Sequence, residues 1–118
     1  MEKKIMVVDD DPVIVKYITA ILQDNGFATC SAENAADAFD TLQREKPDLI
    51  TLDLEMGEDW GPKFYRKLSK EDEFKETPVI VISGLAGRHL SIRKAVGFLE
   101  KPFEPEKLLE LVRKNIGA

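Results

Sequence analysis

The fold of this protein is decided near its N-terminus by the stretch KIMVVDDDP, residues 4–12. The first five of these residues are almost wholly apolar, which is typical of a strand buried on both faces of a sheet. Asp11 and Pro12 then suit the N-cap and the first position of a helix. Apolar side chains follow at helical spacing as far as Asn25 and Gly26, which end the predicted helix. The stretch therefore predicts a strand–helix unit with acidic residues at its junction.

The same alternation recurs along the rest of the chain. Further strands are predicted over Phe27–Ser31, Asp48–Asp53, Val79–Ser83 and Gly97–Glu100. Helices are predicted after Asn34, after the loop Glu55–Gly61, between Leu85 and Lys94, and from Pro105. The fourth of these five helices, within 85–94, is expected to be short or irregular. The alternation predicts an α/β fold with one doubly wound, five-stranded parallel sheet and helices on both faces. Residues 1–118 are expected to form a single domain.

Charge and composition exclude several classes of protein. The chain has 17 Lys and Arg residues against 22 Asp and Glu residues, a net charge of −5, which argues against non-specific binding to nucleic acid or anionic membranes. No apolar run approaches the roughly 20 residues that span a bilayer. The single cysteine, Cys30, excludes an internal disulfide and a cysteine-based zinc site. We therefore expect a cytoplasmic protein that binds neither membranes nor nucleic acid directly.

Chemically active side chains follow the ends of the predicted strands. The first strand is followed by Asp9, Asp10 and Asp11, and the next ends are at Asp53, Ser83 and Lys101. In a doubly wound sheet these ends meet at one edge, where ligands bind. Clustered carboxylates repel one another and need a cation, and Mg²⁺ suits oxygen ligands. One carboxylate can then act as a nucleophile toward a phosphoryl group, with the lysine and the hydroxyl binding the phosphoryl oxygens. Asp11 is expected to act only as a helix cap.

Four motifs in this order resemble the receiver domain of response regulators in two-component signalling, which has the CheY-like, flavodoxin-like fold. They are VVDD at 7–10, PDLI at 47–50 leading to Asp53, VIVIS at 79–83, and KPF at 101–103. Together they span essentially the whole chain. The resemblance implies a phosphorylatable receiver that takes a phosphoryl group from a histidine kinase or a phosphotransfer protein and signals through contacts with a downstream protein.

The resemblance also implies a role for each matching residue. Asp53 would be the phosphoacceptor. Mg²⁺, or Mn²⁺, would be bound by Asp10, Asp53 and the backbone carbonyl of Glu55, while Asp9 would act mainly through water. Ser83 would bind a phosphoryl oxygen and move on phosphorylation. Lys101 would pair with Asp53 or with its phosphoryl group.

Two further positions follow from the same resemblance. The Lys101–Pro102 peptide bond is expected to be cis. Phe98 matches the aromatic switch position, although a simple core residue is the competing interpretation. The largest departure from the family is the spacing of Ser83 and Lys101, which are 18 positions apart, fewer than is usual. The departure affects the fourth helix and therefore the surface that usually selects the partner.

Two other functions remain open at this level. An interaction module that keeps the pocket but is not switched by phosphate would explain the short fourth-helix segment. A Mg²⁺-dependent phosphatase of the haloacid-dehalogenase type is suggested by DDDPV at 9–13, which satisfies that family's first motif. The order of residues argues against the phosphatase, because Asp53 precedes both Ser83 and Lys101, whereas that family's last acidic motif follows its lysine.

Overall fold

The computed structural model describes residues 3–53, 60–84 and 95–116. Its five strands form one parallel sheet in the order β2-β1-β3-β4-β5. They are β1 (Lys4–Val8), β2 (Ala28–Ala32), β3 (Leu49–Asp53), β4 (Val79–Ser83) and β5 (Gly97–Glu100). The strand order changes direction between β1 and β3, which makes the edge beyond these two strands the expected ligand site of a doubly wound sheet.

Four helices connect or follow the described strands. They are α1 (Pro12–Asp24), α2 (Ala35–Glu45), α3 (Trp60–Ser69) and α4 (Pro105–Ile116). Both predicted caps are confirmed, since Asp11 accepts a hydrogen bond from the Val13 N–H and Asn34 accepts one from the Asp37 N–H. The helix predicted within 85–94 lies outside the described residues.

The sheet is covered on both faces, as the alternation predicted. Met6, Ile50 and Val81 pack in the cluster that includes Ala38 and Phe64 of α2 and α3. On the opposite face, strand residues such as Ile5 and Ile80 share a cluster with α1 and α4 side chains, among them Ile18, Leu22, Leu108 and Val112. Burial on both faces explains why β1, β3 and β4 are continuous apolar runs rather than alternating ones.

Four predicted boundaries are wrong by one or two residues. The end of β2 is one of them, since the strand ends at Ala32 rather than at the predicted Ser31. The prediction started β2 at Phe27, but the Phe27 N–H donates to the Leu22 carbonyl at the end of α1, so the strand begins at Ala28. β3 begins at Leu49, one residue later than predicted. The predicted loop ran to Gly61, whereas α3 already begins at Trp60. A first helical turn tolerates glycine and proline because its N–H groups have no intrahelical acceptor.

Among the described residues, no helix is both long enough and apolar enough to cross a membrane.

Candidate functional site

The carboxyl ends of the strands bring three carboxylates together. Asp9 and Asp10 follow β1 directly, and Asp53 is the last residue of β3. One carboxylate oxygen from each lies within 4.8 Å of the other two. Asp9 and Asp53 are almost fully buried, at 1% and 3% exposed, whereas Asp10 is exposed. The site therefore holds two desolvated carboxylates beneath one that faces the surface.

Lys101 supplies a positive charge to this cluster. Its ammonium lies 3.2 Å from Asp9 Oδ2 and 3.5 Å from Asp53 Oδ1. Burial lowers the pKa of Lys101, but the neighbouring carboxylates of Asp53 and Asp9 outweigh this effect, so its pKa lies above the ordinary value. Lys101 is therefore charged at neutral pH and leaves the four groups with a net charge of −2.

Backbone hydrogen bonds hold the acidic end of β1 in place. The Asp9 N–H donates to the Ala32 carbonyl at 3.2 Å, which continues the β1–β2 pairing by one residue. Asp9 Oδ1 accepts a hydrogen bond from the Asp11 N–H at 2.9 Å. Asp11 in turn caps α1 through the Val13 N–H. Asp11 thus has the capping role that the sequence predicted.

Ser83 and Lys101 belong to neighbouring strand ends. Ser83 is the last residue of β4 and is buried, at 6% exposed. Its carbonyl accepts a hydrogen bond of 2.9 Å from the Lys101 N–H. The Lys101–Pro102 peptide bond is cis, in agreement with the expectation from the resemblance. Ser83 and Lys101 therefore reach the same edge as Asp53.

Phe98 lies on β5 in register with Val81, on the sheet face that α2 and α3 cover. It is 44% exposed, while its neighbours Gly97 and Leu99 are buried. This exposure does not fit the interpretation of Phe98 as a core residue. Its proposed switch role stays a prediction.

The donor set fits a hard divalent cation. All three converging side chains offer carboxylate oxygens, the ligands that Mg²⁺ prefers, and the net charge of −2 is what one such ion balances. Asp9, Asp10 and Asp53 are the described residues that could hold it. The remaining predicted ligand, the backbone carbonyl of Glu55, lies outside the described residues.

One feature of the site was missed at the level of sequence: the contact between Lys101 and Asp9. The resemblance paired Lys101 with Asp53, and the structure places its ammonium closer to Asp9. No sequence signal could have shown this, because the two residues are 92 positions apart and follow strands that β3 and β4 separate in the sheet, so their contact depends on the tertiary structure.

Comparisons with known proteins agree with this fold. The family model for the response regulator receiver domain matches residues 5–113. Protein Rrf1 of Nitratidesulfovibrio vulgaris is 35% identical over 118 residues, which cover 100% of this chain and 86% of that protein. The polar-differentiation response regulator DivK of Brucella anthropi is 26% identical, over 99% of this chain and 98% of that protein. The crystal structure of a response regulator from Thermotoga maritima superposes with a TM-score of 0.85, at 32% identity and with 100% of both chains covered.

Proposed function

This chain belongs to the response regulator receiver family, and from that membership we propose that it is a phosphorylatable receiver whose acceptor is Asp53. The observation that carries the proposal is the grouping of Asp9, Asp10 and Asp53 within 4.8 Å, with the Lys101 ammonium 3.5 Å from Asp53. Each part of phosphoryl transfer has a matching group in this set: a nucleophile, a cation site and a fixed positive charge.

In the proposed reaction an Asp53 carboxylate oxygen attacks the phosphorus of a phosphohistidine. The new P–O bond forms as the P–N bond breaks, and the electron pair of that bond stays on the donor's imidazole, which takes up a proton. Lys101 offsets the negative charge at Asp53, and its raised pKa keeps it charged throughout. Ser83 donates a hydrogen bond to a phosphoryl oxygen.

Mg²⁺ would be held by Asp10 and Asp53, with Asp9 acting through water and the backbone carbonyl of Glu55 completing the set. When bound, the ion supplies positive charge that offsets the repulsion between the carboxylates and the incoming phosphoryl group. Mn²⁺ prefers the same oxygen donors. Even without an ion, the Lys101 ammonium lowers the repulsion between Asp9 and Asp53.

We further propose that Ser83 and Phe98 transmit the phosphorylated state to the surface. Ser83 is buried at the reacting edge, and Phe98, which is 44% exposed, lies on the adjacent edge strand β5. Movement of Ser83 toward a phosphoryl oxygen would change the space that the Phe98 ring can occupy. Beryllofluoride, a phosphoryl mimic, should therefore shift the NMR signals of Phe98 in the wild type and much less in Ser83→Ala.

The partners implied by this function are a histidine kinase or a histidine phosphotransfer protein, and a downstream protein target. We propose that residues 1–118 act as one receiver domain in the cytoplasm, where phosphohistidine donors are formed from ATP. The family match over 5–113 supports the single domain. That same match leaves the haloacid-dehalogenase alternative without support. The segment that motivated an interaction module not switched by phosphate lies outside the described residues.

Intact-mass measurement after incubation with Mg²⁺ and acetyl phosphate tests the proposal. The wild type should gain the mass of one phosphoryl group, Asp53→Asn should gain none, and Asp24→Asn, an exposed control at the end of α1, should behave like the wild type. An unmodified wild type, or equal modification of Asp53→Asn, would contradict the proposal. Partner affinity that is unchanged by beryllofluoride would favour the interaction module instead.

A further inference from the structure

Helix α3 carries only positive charge, although the whole protein has a net charge of −5. Its charged residues are Lys63, Arg66 and Lys67, and Lys70 follows directly after the helix. All four are exposed, and their spacing of three, four and seven positions places them on one face. We call these four residues the basic stripe.

The charges of the basic stripe have no carboxylate partner in residues 3–53, 60–84 and 95–116. Among the described residues, none of its four members forms an ion pair with a carboxylate. Other cations of the same protein do so readily, namely Lys4, Arg44, Lys46, Lys75 and Lys101. In a chain with more acidic than basic residues, four adjacent cations without a carboxylate partner form a concentrated positive surface.

An aromatic groove adjoins the stripe. It has a volume of about 470 Å³, lies between α2 and α3, and is lined in part by Phe39, Phe64, Lys63 and Lys67. The two rings meet edge to face with centroids 6.3 Å apart, and the Lys67 ammonium lies 4.2 Å from the centre of the Phe39 ring. The groove therefore has an apolar floor, two cations on its α3 side, and one carboxylate on its α2 side, that of Asp40, which is paired with Arg44 at 3.2 Å.

We propose that this groove and the basic stripe dock a short acidic segment of a partner protein. One aromatic or aliphatic side chain of the segment lies against Phe39 and Phe64, while its carboxylates face Lys63, Arg66 and Lys67. Apolar anchoring and charge complementarity act together at such surfaces. The surface is separate from the carboxylate cluster, so the inference does not rest on phosphorylation of Asp53.

The dimensions favour a peptide over a membrane or a nucleic acid. From Lys63 to Lys70 the stripe is about 10 Å long at 1.5 Å per residue, close to the Debye length of about 8 Å at physiological salt. A net charge of −5 less these four positive charges leaves −9 on the rest of the chain. A long polyanion would extend beyond the stripe and would be repelled by the negative charge on the rest of the protein. An acidic segment of a few residues contacts only the stripe.

A displayed library of short random peptides tests the proposal with the unphosphorylated full chain as bait. Peptides that combine Asp or Glu with one aromatic or aliphatic residue should be enriched. A synthesised peptide from that pool should bind Lys63→Glu/Lys67→Glu about tenfold more weakly than the wild type, because two attractions become repulsions. The control Lys107→Glu/Lys114→Glu carries the same change in charge on exposed positions of α4 and should bind like the wild type.

Two further binding measurements complete the test. Replacing the peptide's apolar anchor by alanine should also weaken binding about tenfold, since burial of one large side chain is lost. Phosphatidylserine vesicles and a single-stranded oligonucleotide should bind the wild type no more tightly than they bind Lys63→Glu/Lys67→Glu. Lack of acidic enrichment, equal binding by both double variants, or stripe-dependent binding to vesicles or oligonucleotide in place of peptide would overturn the proposal. Denaturation curves of both variants establish that they are folded.

Discussion

The Lys101 ammonium lies 3.2 Å from Asp9 Oδ2, although the two residues are 92 positions apart in the chain. This pair joins the ends of β1 and β5, which are separated in the sheet by β3 and β4. Asp9 is 1% exposed, so its carboxylate has lost most of its contact with water. The pair therefore offsets part of the desolvation cost of the Asp9 carboxylate and holds the lysine beside Asp53.

Replacing Lys101 by methionine should destabilise the protein in the absence of Mg²⁺. The variant keeps most of the side-chain volume but leaves the buried carboxylates of Asp9 and Asp53 without their ammonium. We expect the free energy of unfolding at pH 7 to fall by about 1–3 kcal/mol. Urea denaturation measures the change, and Lys16→Met, at an exposed position of α1, should alter it little. A variant as stable as the wild type would show that the ion pair contributes nothing net.

The same pair predicts a dependence on alkaline pH. The pKa of Lys101 in the folded protein lies above its ordinary value because Asp53 and Asp9 outweigh the effect of burial. Its stabilising contribution is therefore complete below the unfolded pKa of about 10.4 and is lost as pH rises through the higher folded value. The difference in the free energy of unfolding between the wild type and Lys101→Met should therefore narrow as the pH rises through the folded pKa of Lys101.

Asp10→Asn should stabilise the protein in the absence of Mg²⁺, in contrast to Lys101→Met. Asp10 is exposed, lies in the carboxylate cluster and forms no ion pair within the described part of the chain. Neutralising it relieves repulsion from Asp9 and Asp53, so we expect a gain of roughly 0.5 kcal/mol without metal. The stabilisation that Mg²⁺ gives the wild type should decrease, which thermal denaturation with and without Mg²⁺ would detect. Equal responses to Mg²⁺ would exclude Asp10 as a ligand.

Thr51 offers a direct route to a more stable protein. It lies in the middle of β3 between Val7 and Ile80 and is 1% exposed, and its hydroxyl has no hydrogen-bond partner among the residues that the structure describes. Thr51→Val replaces that hydroxyl by a methyl group of similar size. We expect a gain of about 1 kcal/mol, since a buried polar group without a partner costs free energy. Thr51→Ser, which keeps the hydroxyl and removes the methyl, should lose stability in the same denaturation assay.

Gly97 packs closely against a side chain of α4. A methyl group at Gly97 would lie 2.9 Å from Leu111 Cδ2 and 3.0 Å from Leu111 Cδ1, both closer than van der Waals contact. Gly97→Ala should therefore cost about 0.5–1.5 kcal/mol, because the flexible end of the Leu111 side chain must shift. Combined with Leu111→Ala, it should cost less than the sum of the two single changes, because the clash is gone. If the two changes were strictly additive in a double-mutant cycle, the contact with Leu111 would not be the cause of the lost stability.

The thiol of Cys30 should react slowly at neutral pH. Burial raises its pKa to about 11, with a smaller contribution from the Glu45 carboxylate, and the opposing effects of Lys4 and Arg44 do not compensate. Alkylation by iodoacetamide should therefore increase up to about pH 11 in the folded protein. The urea-unfolded chain should approach its plateau near the ordinary pKa of about 8.5. Equal pH profiles for the two states would contradict the predicted effect of burial.

Local patterns in the sequence were sufficient for most of the fold. The bounds of β1, β4 and β5 and the caps Asp11 and Asn34 follow from short-range signals and are confirmed. The error at the start of β2 arose because Phe27 had two possible structural roles. Phe27 is apolar enough for a strand, but its N–H closes the end of α1, a choice that depends on the geometry of the helix end.

The sequence by itself determined which chemical groups stand at the ends of the strands, because strand order along the chain and apolar periodicity are local properties. It also contained the basic stripe, visible as a helix without acidic residues. Only the tertiary structure decided which of these groups touch. The parallel sheet order β2-β1-β3-β4-β5 joins Asp9, Asp53 and Lys101, and the packing of α2 against α3 forms the groove beside Lys63 and Lys67. The physical reason is that contacts between residues tens of positions apart depend on how whole faces are buried, which no short stretch specifies.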